Sequence, residues 1–356
     1  GEYTQGAGAI AMLVKHNPRL LEIHDTFGVG TMGVHDFFKP MRKFEKEDVV
    51  REVLELAGIE NLDPAKVLKN LPSTFENKGI LDDNDSYLHL HKETPVFDGP
   101  YSNQTYQARV KEALQHFRSQ AESEGILDKT DNVLERWERL IFHLPYAFHA
   151  KRIASEIFML ENKNQNAWSK IESEVAMDEP LRSDFESEEA YEKAYHEYLR
   201  LITKTPTYKA FVKEKLGKSQ KASSDVGNMY ACSIFLALLS TLEEDYKENT
   251  NLTGKKFGFF GYGSGSKSKV FEATIQENWK EVVGKFGVAT KLENRTPVSY
   301  NDYEALHRKQ RTESILPPHN EFAIERIGDE GVRLGARYYG WKGSRPVTSK
   351  SNSSLA

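Results

Sequence analysis

A strongly apolar stretch at residues 226–244, VGNMYACSIFLALLSTLEE, most limits what this chain can fold into. It predicts a buried helix. It is followed at 255–275 by KKFGFFGYGSGSKSKVFEATI, where aromatic residues flank a glycine-rich segment. That pattern predicts a strand, a tight loop and a second strand. A buried helix beside paired strands is typical of an α/β fold.

The first seventy residues add further elements. After a glycine-containing turn, the apolar run at 9–14 predicts a buried strand, with 19–30 as its neighbour. Apolar residues at mostly helical spacing predict helices at 44–58 and 63–72. Amphipathic or tyrosine-rich sequence predicts later helices at 109–123, 132–141, 146–161 and 184–217, the last broken near Pro206.

Composition excludes several classes of protein. Of the 356 residues, 38% are apolar and 28% are charged, and the formal charge is −5. These values give no overall attraction to nucleic acid or to an anionic membrane. No run of about 18 apolar residues could span a bilayer, and the sequence has no secretion signal at its start. We therefore expect a cytoplasmic protein that binds neither nucleic acid nor membrane.

Cys232 is the only cysteine of the chain. A single cysteine excludes an intramolecular disulfide and a cysteine-based zinc site, and it fits a reducing compartment. Cys232 falls within the predicted buried helix, and thiols in apolar surroundings are usually inert. We interpret Cys232 as structural rather than nucleophilic.

One acidic segment imitates a calcium loop. Asp82, Asn84, Ser86 and Glu93 occupy ligand positions, but Tyr87 stands where the sharp turn of such a loop needs glycine. We therefore expect no calcium there.

Two other patterns imitate metal and phosphate sites. His89 and His91 would share one strand face, but no third ligand is evident nearby, so a solvated strand is the simpler interpretation. Gly261, Gly263 and Gly265 resemble part of a phosphate-binding loop. The segment lacks the last glycine of the dinucleotide fingerprint and the Gly-Lys-Ser/Thr ending of a Walker loop. We expect neither a metal nor a nucleotide cofactor.

Three short segments put a polar residue at the end of an apolar element: FHLPY with His143, VGNMY with Asn228, and GYGSGS with Ser264. Taken alone, His143 could equally be a structural histidine and Asn228 a helix cap. Together, imidazole and carboxamide N–H groups could donate to a thioester or ketone oxygen, and the glycine-flanked amide of Ser264 could join them. Such a site would stabilise an enolate or a tetrahedral oxyanion.

These segments belong to a larger pattern that resembles the 3-hydroxy-3-methylglutaryl coenzyme A (HMG-CoA) synthases of the thiolase superfamily. The resemblance covers most of the chain through six ordered blocks: GEYTQGAGAIAMLV, HDFFKP, PVFDGPYS, FHLPY, VGNMYACSIFLALLSTLE and FGFFGYGSGS. It implies a five-layered αβαβα fold, a homodimer, and condensation of acetyl-CoA with acetoacetyl-CoA to give HMG-CoA and CoA. The substrates are CoA thioesters, and no separate cofactor is implied.

The resemblance also implies roles for individual residues. His143 would bind and polarise the acetoacetyl group, and Asn228 and Ser264 would contact the acyl group, with the Ser264 amide as an oxyanion donor. The remaining residues expected to bind substrate are Asp36, Phe37, Pro145, Tyr146, Lys151, Arg152, Tyr230 and Gly263.

The chain departs from the family in two ways. Phe148 stands where the family usually has a lysine, which leaves the contacts with CoA open. The family's nucleophilic cysteine and basic glutamate lie upstream of the block that matches QGAGA, and Cys232 falls where relatives carry a threonine. We therefore expect this chain to hold the acetoacetyl-CoA half of the site, to need an N-terminal segment as partner, and to be inactive alone.

The resemblance divides the chain into four parts: the end of an N-terminal thiolase-like half (1–40), a mainly helical insertion (41–94), a C-terminal thiolase-like half (95–342) and a flexible tail (343–356). Alternatives are a ketoacyl-synthase-like condensing enzyme, and a non-catalytic or split-subunit partner that uses the fold as an interaction surface. A role in the mevalonate pathway and one in polyketide branching both stay open.

Overall fold

The computed structural model describes residues 4–70, 86–91, 95–165 and 167–344. The chain divides into two compact units, of which the first combines Gly1–Phe38 with Pro95–Arg295 and the second combines Lys39–Thr94 with Thr296–Ala356. Every residue expected to bind substrate or to take part in the chemistry belongs to the first unit.

The described residues form ten strands and thirteen α-helices. The strands are β1 (Leu21–Thr31), β2 (Phe37–Phe38), β3 (Met41–Glu45), β4 (Tyr87–His91), β5 (Val96–Phe97), β6 (Arg139–Phe142), β7 (Lys256–Gly263), β8 (Lys267–Ile275), β9 (Glu321–Ile327) and β10 (Arg337–Lys342). The helices are α1 (Lys46–Leu56), α2 (Pro64–Lys69), α3 (Gly99–Ser123), α4 (Val133–Arg136), α5 (His149–Asn164), α6 (Trp168–Glu172), α7 (Glu188–Ile202), α8 (Pro206–Lys215), α9 (Gln220–Val226), α10 (Ser233–Lys247), α11 (Trp279–Val283), α12 (Val288–Glu293) and α13 (Tyr300–His307).

The first unit is built on a four-stranded sheet in the order β1-β8-β7-β6. β8 is antiparallel to both β1 and β7, whereas β6 is parallel to β7, with Phe142 opposite Phe260. Because β6 and β7 run in the same direction, their carboxyl ends lie at the same edge of the sheet. The segments that follow these two strands therefore leave the sheet at the same edge.

Glycines let α3 pack directly on β1. A Cβ atom at Gly28 would lie 1.9 Å from the backbone oxygen of Ala113, and one at Gly30 would lie 2.5 Å from that of Arg109. Real side chains cannot approach a backbone so closely, so only glycine allows this contact. The contact places α3, which begins at Gly99, across the sheet.

Large aromatic side chains fill the core on the sheet. Phe142 and Phe260 stack with ring centroids 4.2 Å apart, and Trp137 meets the Phe260 ring edge-on at 5.7 Å. All three are fully buried, and burial of each contributes roughly 1.5–3 kcal/mol relative to an exposed side chain. This packing fixes the ends of β6 and β7 relative to each other.

A buried carboxylate, Glu272, forms ion pairs within the first unit. Glu272 on β8 accepts hydrogen bonds from Arg136, Lys256 and the indole N–H of Trp137 at 2.8–3.2 Å. Burial alone would raise the pKa of Glu272, but these three donors outweigh it and lower the pKa to about 2. Glu272 therefore stays ionised inside the fold at neutral pH.

The second unit contains small antiparallel pairs. β3 pairs with β4, with Met41 opposite His91, and β9 pairs with β10. Asp63 caps α2 by accepting from the backbone N–H of Ala65 at 3.0 Å. The range 41–94, expected to be a mainly helical insertion, thus contains α1, α2 and the pair β3–β4 among its described residues.

Several predicted elements are confirmed. The segment 19–30 forms β1, the helical spacing at 44–58 and 63–72 produces α1 and α2, and 255–275 forms β7, a tight loop and β8. The break expected near Pro206 separates α7 from α8, because Pro206 occupies the first turn of α8.

The strand predicted at 9–14 is wrong. Within the described part of the chain these residues have no regular secondary structure, and Leu13 and Val14 are 89% and 90% exposed. A strand needs a neighbour for its backbone groups, and the only bridge in this region joins Gln5 to Asn228. The apolar run therefore lies along the surface.

Two further expectations needed correction. The amphipathic stretch 132–141 splits into α4 and the buried strand β6, because the charge of Arg139 is neutralised inside the fold by Asp245, at 2.7 and 3.0 Å. Cys232 lies in the 3₁₀ turn Tyr230–Cys232 just before α10 and is half-buried rather than enclosed in the helix.

Within the described ranges, no helix combines the length and apolarity that a membrane crossing requires.

Candidate functional site

His143 and Ser264 follow two neighbouring strands at the same edge of the sheet. His143 comes directly after β6, and its backbone N–H donates to the carbonyl of Phe260 at 2.9 Å. Ser264 comes directly after β7 and is exposed. The parallel pairing of β6 with β7 therefore places both residues beyond the same edge of the sheet, with Ser264 farther out because β7 continues past Phe260, the partner of Phe142.

A stack of aromatic rings lies behind His143. The buried phenol of Tyr106, on α3, donates a 2.7 Å hydrogen bond to the carbonyl oxygen of His143. The centroid of the Tyr106 ring lies 4.1 Å from that of Tyr262, in a nearly parallel stack. It also lies 4.6 Å from the centroid of the His149 ring. The ring of His149 also meets Tyr146 edge-on at 4.8 Å. These contacts hold the FHLPY turn against α3 and β7.

Asp36 ties the loop of Ser264 to the same stack. Asp36 is fully buried, and its carboxylate accepts from the hydroxyl of Tyr262 at 3.1 Å and from the backbone N–H of Gly265 at 3.0 Å. The hydroxyl of Ser102 donates to it at 3.0 Å. A single side chain thus fixes both the end of β7 and the loop that carries Ser264.

His143 in the turn and His149 at the start of α5 are both neutral at physiological pH. Burial lowers the pKa of His143 to about 4. Burial, and then the nearby His143 and Arg152, lower the pKa of His149 to about 3. A neutral imidazole has one N–H donor and one acceptor nitrogen, so His143 can donate to an oxygen without carrying a charge.

His149 is an unusual neighbour for His143. It is only 2% exposed, and within the described part of the chain neither of its ring nitrogens has a hydrogen-bond partner. A buried polar group without a partner costs about 1–3 kcal/mol. His149 therefore contributes packing to the Tyr106 ring at the expense of stability.

Asn228 is held in a strained turn before α10. Its side-chain oxygen accepts from the backbone N–H of Tyr230 at 2.8 Å and from the hydroxyl of Ser233 at 3.2 Å. Tyr230 has φ of +52°, a conformation that costs a non-glycine residue of order 1–3 kcal/mol and persists only where the surroundings impose it. The engaged oxygen fixes the carboxamide, and its NH₂ group is the part of Asn228 that can donate to a ligand.

The start of α10 lies against the end of β7. A Cβ atom at Gly261 would lie 4.0 Å from Cδ1 of Ile234, the second residue of α10. The turn that carries Asn228 therefore approaches the strand that leads to Ser264. Convergence of all three groups on one acyl oxygen stays a prediction.

Lys151 and Arg152, the two basic residues near the start of α5, each lie over an aromatic ring. The Lys151 ammonium lies 4.0 Å above the ring of Phe148, which is 53% exposed. The Arg152 guanidinium lies 5.6 Å from the ring of Tyr146. Attraction between a cation and an aromatic face contributes about 0.5–1 kcal/mol at exposed sites. Both charges are thus held near the first turn of the helix that follows FHLPY.

The other predicted site residues lie around these segments. Phe37 on β2 pairs with Phe97 on β5, with ring centroids 6.0 Å apart. Pro145 lies in the turn between His143 and α5, Gly263 ends β7, and Tyr230 is 55% exposed. Their contact with substrate stays a prediction.

Among the residues that the structure describes, no cluster of histidine, cysteine, aspartate or glutamate could hold a metal ion. Of the calcium-like segment, Asp82, Asn84 and Glu93 lie outside the described residues. His89 and His91 lie on β4 and alternate with leucine along it.

Sequence reasoning missed Tyr106, Tyr262 and His149. Tyr106 belongs to an amphipathic helix, where an aromatic residue is usually a core residue. Tyr262 lies within the motif GYGSGS and His149 comes three residues after FHLPY, and that proximity was the one signal available. Their contacts join residues that are far apart in sequence.

The mixed sheet, the helix α3 laid across it and the paired strand ends make the first unit an α/β fold, and its likeness to solved structures identifies that fold as thiolase-like. A solved structure described as "MvaS in complex with 3-hydroxy-3-methylglutaryl coenzyme A" superposes on 95% of the chain, with a TM-score of 0.62, 21% identity and 62% of its own length covered. One described as "Crystal Structure of the Curacin Biosynthetic Pathway HMG Synthase" covers 91% of the chain, with a TM-score of 0.54, 15% identity and 59% of its length.

Sequence comparison narrows the class to a family. The family described as "Hydroxymethylglutaryl-coenzyme A synthase C terminal" matches residues 85–322, more than half of the chain. The chain belongs to this family.

Curated relatives carry the same name. The Hydroxymethylglutaryl-CoA synthase of Haloferax volcanii is 27% identical over 345 residues, which is 95% of the chain and 63% of the relative. That of Enterococcus faecalis is 24% identical over 306 residues, 86% of the chain and 53% of the relative. The chain thus spans between half and two thirds of the length of these relatives.

Proposed function

We propose that the chain provides the acetoacetyl-CoA-binding half of an HMG-CoA synthase. The enzyme would condense acetyl-CoA with acetoacetyl-CoA and water to HMG-CoA and free CoA in the mevalonate pathway. Family membership and the names of the relatives support the reaction. The observation that carries the proposal is the placement of His143 and Ser264 at the ends of paired parallel strands, tied together through Asp36 and the aromatic stack.

In this proposal the residues of the chain stabilise negative charge on the acceptor. The neutral imidazole of His143 donates its N–H to the ketone oxygen of the acetoacetyl group, and the NH₂ of Asn228 and the amide of Ser264 donate to acyl oxygens. When the acetyl carbanion forms a bond to the ketone carbon, the electron pair of the C=O bond moves to that oxygen. Fixed donors at an oxygen that gains charge lower the barrier without reorganisation.

The acylated cysteine of the reaction would come from outside these residues. Cys232 is the only cysteine of the chain, and it lies in the turn before α10, with Asn228 four residues earlier. We propose that a further polypeptide segment supplies the cysteine and the base, and that the assembled protein is a homodimer. A cytoplasmic location, which the single cysteine supports, belongs to the same proposal.

Ligand binding tests the proposal on the full chain, purified together with any chain that copurifies. Calorimetric titration should show that acetoacetyl-CoA binds and that His143→Ala weakens this binding at least about tenfold, the loss expected for a hydrogen bond of about 1.4 kcal/mol. His116→Ala, an exposed histidine on α3, is the matched control and should bind like the wild type. Absence of acetoacetyl-CoA binding, or equal affinity of His143→Ala and the wild type, would refute the proposed function.

The alternative function is that of a non-catalytic interaction partner. It predicts that neither histidine substitution changes the binding of any CoA thioester. The same titration therefore separates the two functions.

A further inference from the structure

Tyr106 makes a contact that neither the sequence motifs nor the reaction assign. It lies on α3, is 1% exposed, and donates its hydroxyl to the carbonyl oxygen of His143 at 2.7 Å. Burial, and then the neighbouring Tyr262, hold the pKa of Tyr106 well above its usual range. The phenol therefore keeps its proton and remains a donor.

The carbonyl of His143 lies where the chain leaves the sheet. Its N–H still bonds to Phe260 on β7, but β6 ends at Phe142 and is the last strand on that side. A backbone carbonyl that is buried at the end of a ladder needs a partner from elsewhere. Tyr106 is that partner, so α3 decides the direction in which the FHLPY turn leaves the sheet.

The ring of Tyr106 is itself fixed by the loop that carries Ser264. It stacks on Tyr262 at 4.1 Å with an interplanar angle of 11°. Tyr262 donates to Asp36 at 3.1 Å, and Asp36 also accepts from the amide of Gly265 at 3.0 Å. A continuous set of contacts therefore runs from the backbone of His143 to the residue that follows Ser264.

We infer that Tyr106 is a positioning residue of the proposed condensation, which sets the backbone of His143 relative to the Ser264 loop through Tyr262 and Asp36. This inference rests on the proposed function. Tyr106 itself touches no reacting atom; its effect on the reaction passes through the orientation of His143. Loss of its hydroxyl should therefore change what His143 does more than it changes the stability of the fold.

A second tyrosine provides a matched control. Tyr208 on α8 is also 1% exposed, and its hydroxyl donates to a backbone carbonyl, that of Lys151, at 2.8 Å. Tyr208→Phe therefore removes the same chemical group from the same kind of environment. It leaves the contacts of His143 unchanged, so the two variants differ in position but not in type.

The experiment compares the wild type, Tyr106→Phe and Tyr208→Phe as full chains. Both variants should lower the midpoint of thermal unfolding by a similar amount, because each loses one buried hydrogen bond. Tyr106→Phe should weaken acetoacetyl-CoA binding about tenfold and shift the ring resonance of His143 in the ligand-free NMR spectrum, identified by its absence in His143→Gln. Tyr208→Phe should leave that resonance in place. Its hydroxyl holds the backbone of Lys151, a residue expected to bind substrate, so the His143 resonance rather than the affinity is the readout that separates the two variants.

Other outcomes would overturn the inference. If Tyr106→Phe binds acetoacetyl-CoA like the wild type, or leaves the His143 resonance unmoved, Tyr106 is only a structural residue. A wild type that binds no acetoacetyl-CoA would remove the proposed function and the positioning role with it.

Tyr262→Phe keeps the test decisive should Tyr106→Phe not fold. It preserves the stacked ring and removes the hydrogen bond to Asp36, so it should weaken binding in the same direction. Unchanged affinity in a folded Tyr262→Phe variant would contradict the inference.

Discussion

The carboxylate of Asp36 accepts a hydrogen bond from the backbone N–H of Gly265, at 3.0 Å across more than two hundred residues of sequence. The same carboxylate accepts from Tyr262 and Ser102. Because Asp36 is fully buried, these donors replace the water that a carboxylate would otherwise bind. The loop around Ser264 is thus fixed from the first segment of the fold rather than by its own sequence.

Substitution of Asp36 tests this connection. Asp36→Asn keeps the shape of the side chain but replaces one acceptor oxygen with an NH₂ donor. That donor then faces the N–H or O–H groups that donate to Asp36 in the wild type. We expect the free energy of unfolding to fall by about 1.5–3 kcal/mol, the range for a hydrogen bond to a charged group, and acetoacetyl-CoA binding to weaken. Urea unfolding measures the first effect, and Asp184→Asn, at an exposed position, should cost less than about 0.5 kcal/mol.

The close approach of α3 to β1 depends on Gly28. A Cβ atom there would collide with the backbone of Ala113, which cannot move aside as a flexible side chain could. We expect Gly28→Ala to destabilise the chain by about 3 kcal/mol, the upper end of the usual cost of forced backbone shifts in a packed core. At Gly33 a Cβ would meet nothing within 4 Å, so Gly33→Ala should leave the urea midpoint close to that of the wild type.

Acid should weaken the fold through Glu272. Its folded pKa, about 2, lies below the ordinary value of 4.5, so its contribution to stability is complete above pH 4.5 and is lost as the pH falls toward 2. Glu272→Gln leaves the half-buried cations Arg136 and Lys256 without their partner and should cost about 3 kcal/mol at pH 7. The difference between variant and wild type should shrink as the pH is lowered from 4.5, measured by urea unfolding at each pH.

An exposed ion pair serves as the comparison for Glu272. Glu281 pairs with Arg19 at 2.6 Å on the surface, and such exposed pairs contribute little to stability. Glu281→Gln should therefore be nearly neutral at every pH. An equally large loss of stability in Glu281→Gln and Glu272→Gln would show that burial of Glu272 does not strengthen its ion pairs.

The unpartnered imidazole of His149 should make the wild type sensitive to mild acid. Its pKa falls from 6.5 in the unfolded chain to about 3 in the fold, so the unfolded state binds the extra proton and stability drops as the pH decreases below about 6.5. His149→Leu removes both the proton site and the unsatisfied polar atoms. We expect the variant to unfold at a higher temperature than the wild type, with a gap that widens between pH 7 and pH 5 in scanning calorimetry.

Local sequence predicted the elements whose cause is local. The strand, loop and strand at 255–275 follow from alternating aromatic residues around glycines, and the end of α7 and start of α8 follow from Pro206. In each case, residues next to one another in sequence decide the backbone.

Other features depend on partners that the local sequence does not name. The apolar run at 9–14 has the composition of a strand, but no described strand pairs with it. Arg139 lies in a buried strand because Asp245, more than one hundred residues later, neutralises it. The contact of Tyr106 with His143 likewise exists only after α3 has packed on the sheet, so a single sequence read for pattern could not predict it.

The central claim is that His143, Asn228 and Ser264 act on the same acyl group. The most direct measurement is a crystal structure of the full chain with acetoacetyl-CoA bound. We expect an imidazole nitrogen of His143, the amide nitrogen of Asn228 and the backbone nitrogen of Ser264 each within about 3.2 Å of an acetoacetyl oxygen. A bound ligand whose acyl oxygens lie away from these groups, or three groups that face separate surfaces, would contradict the claim.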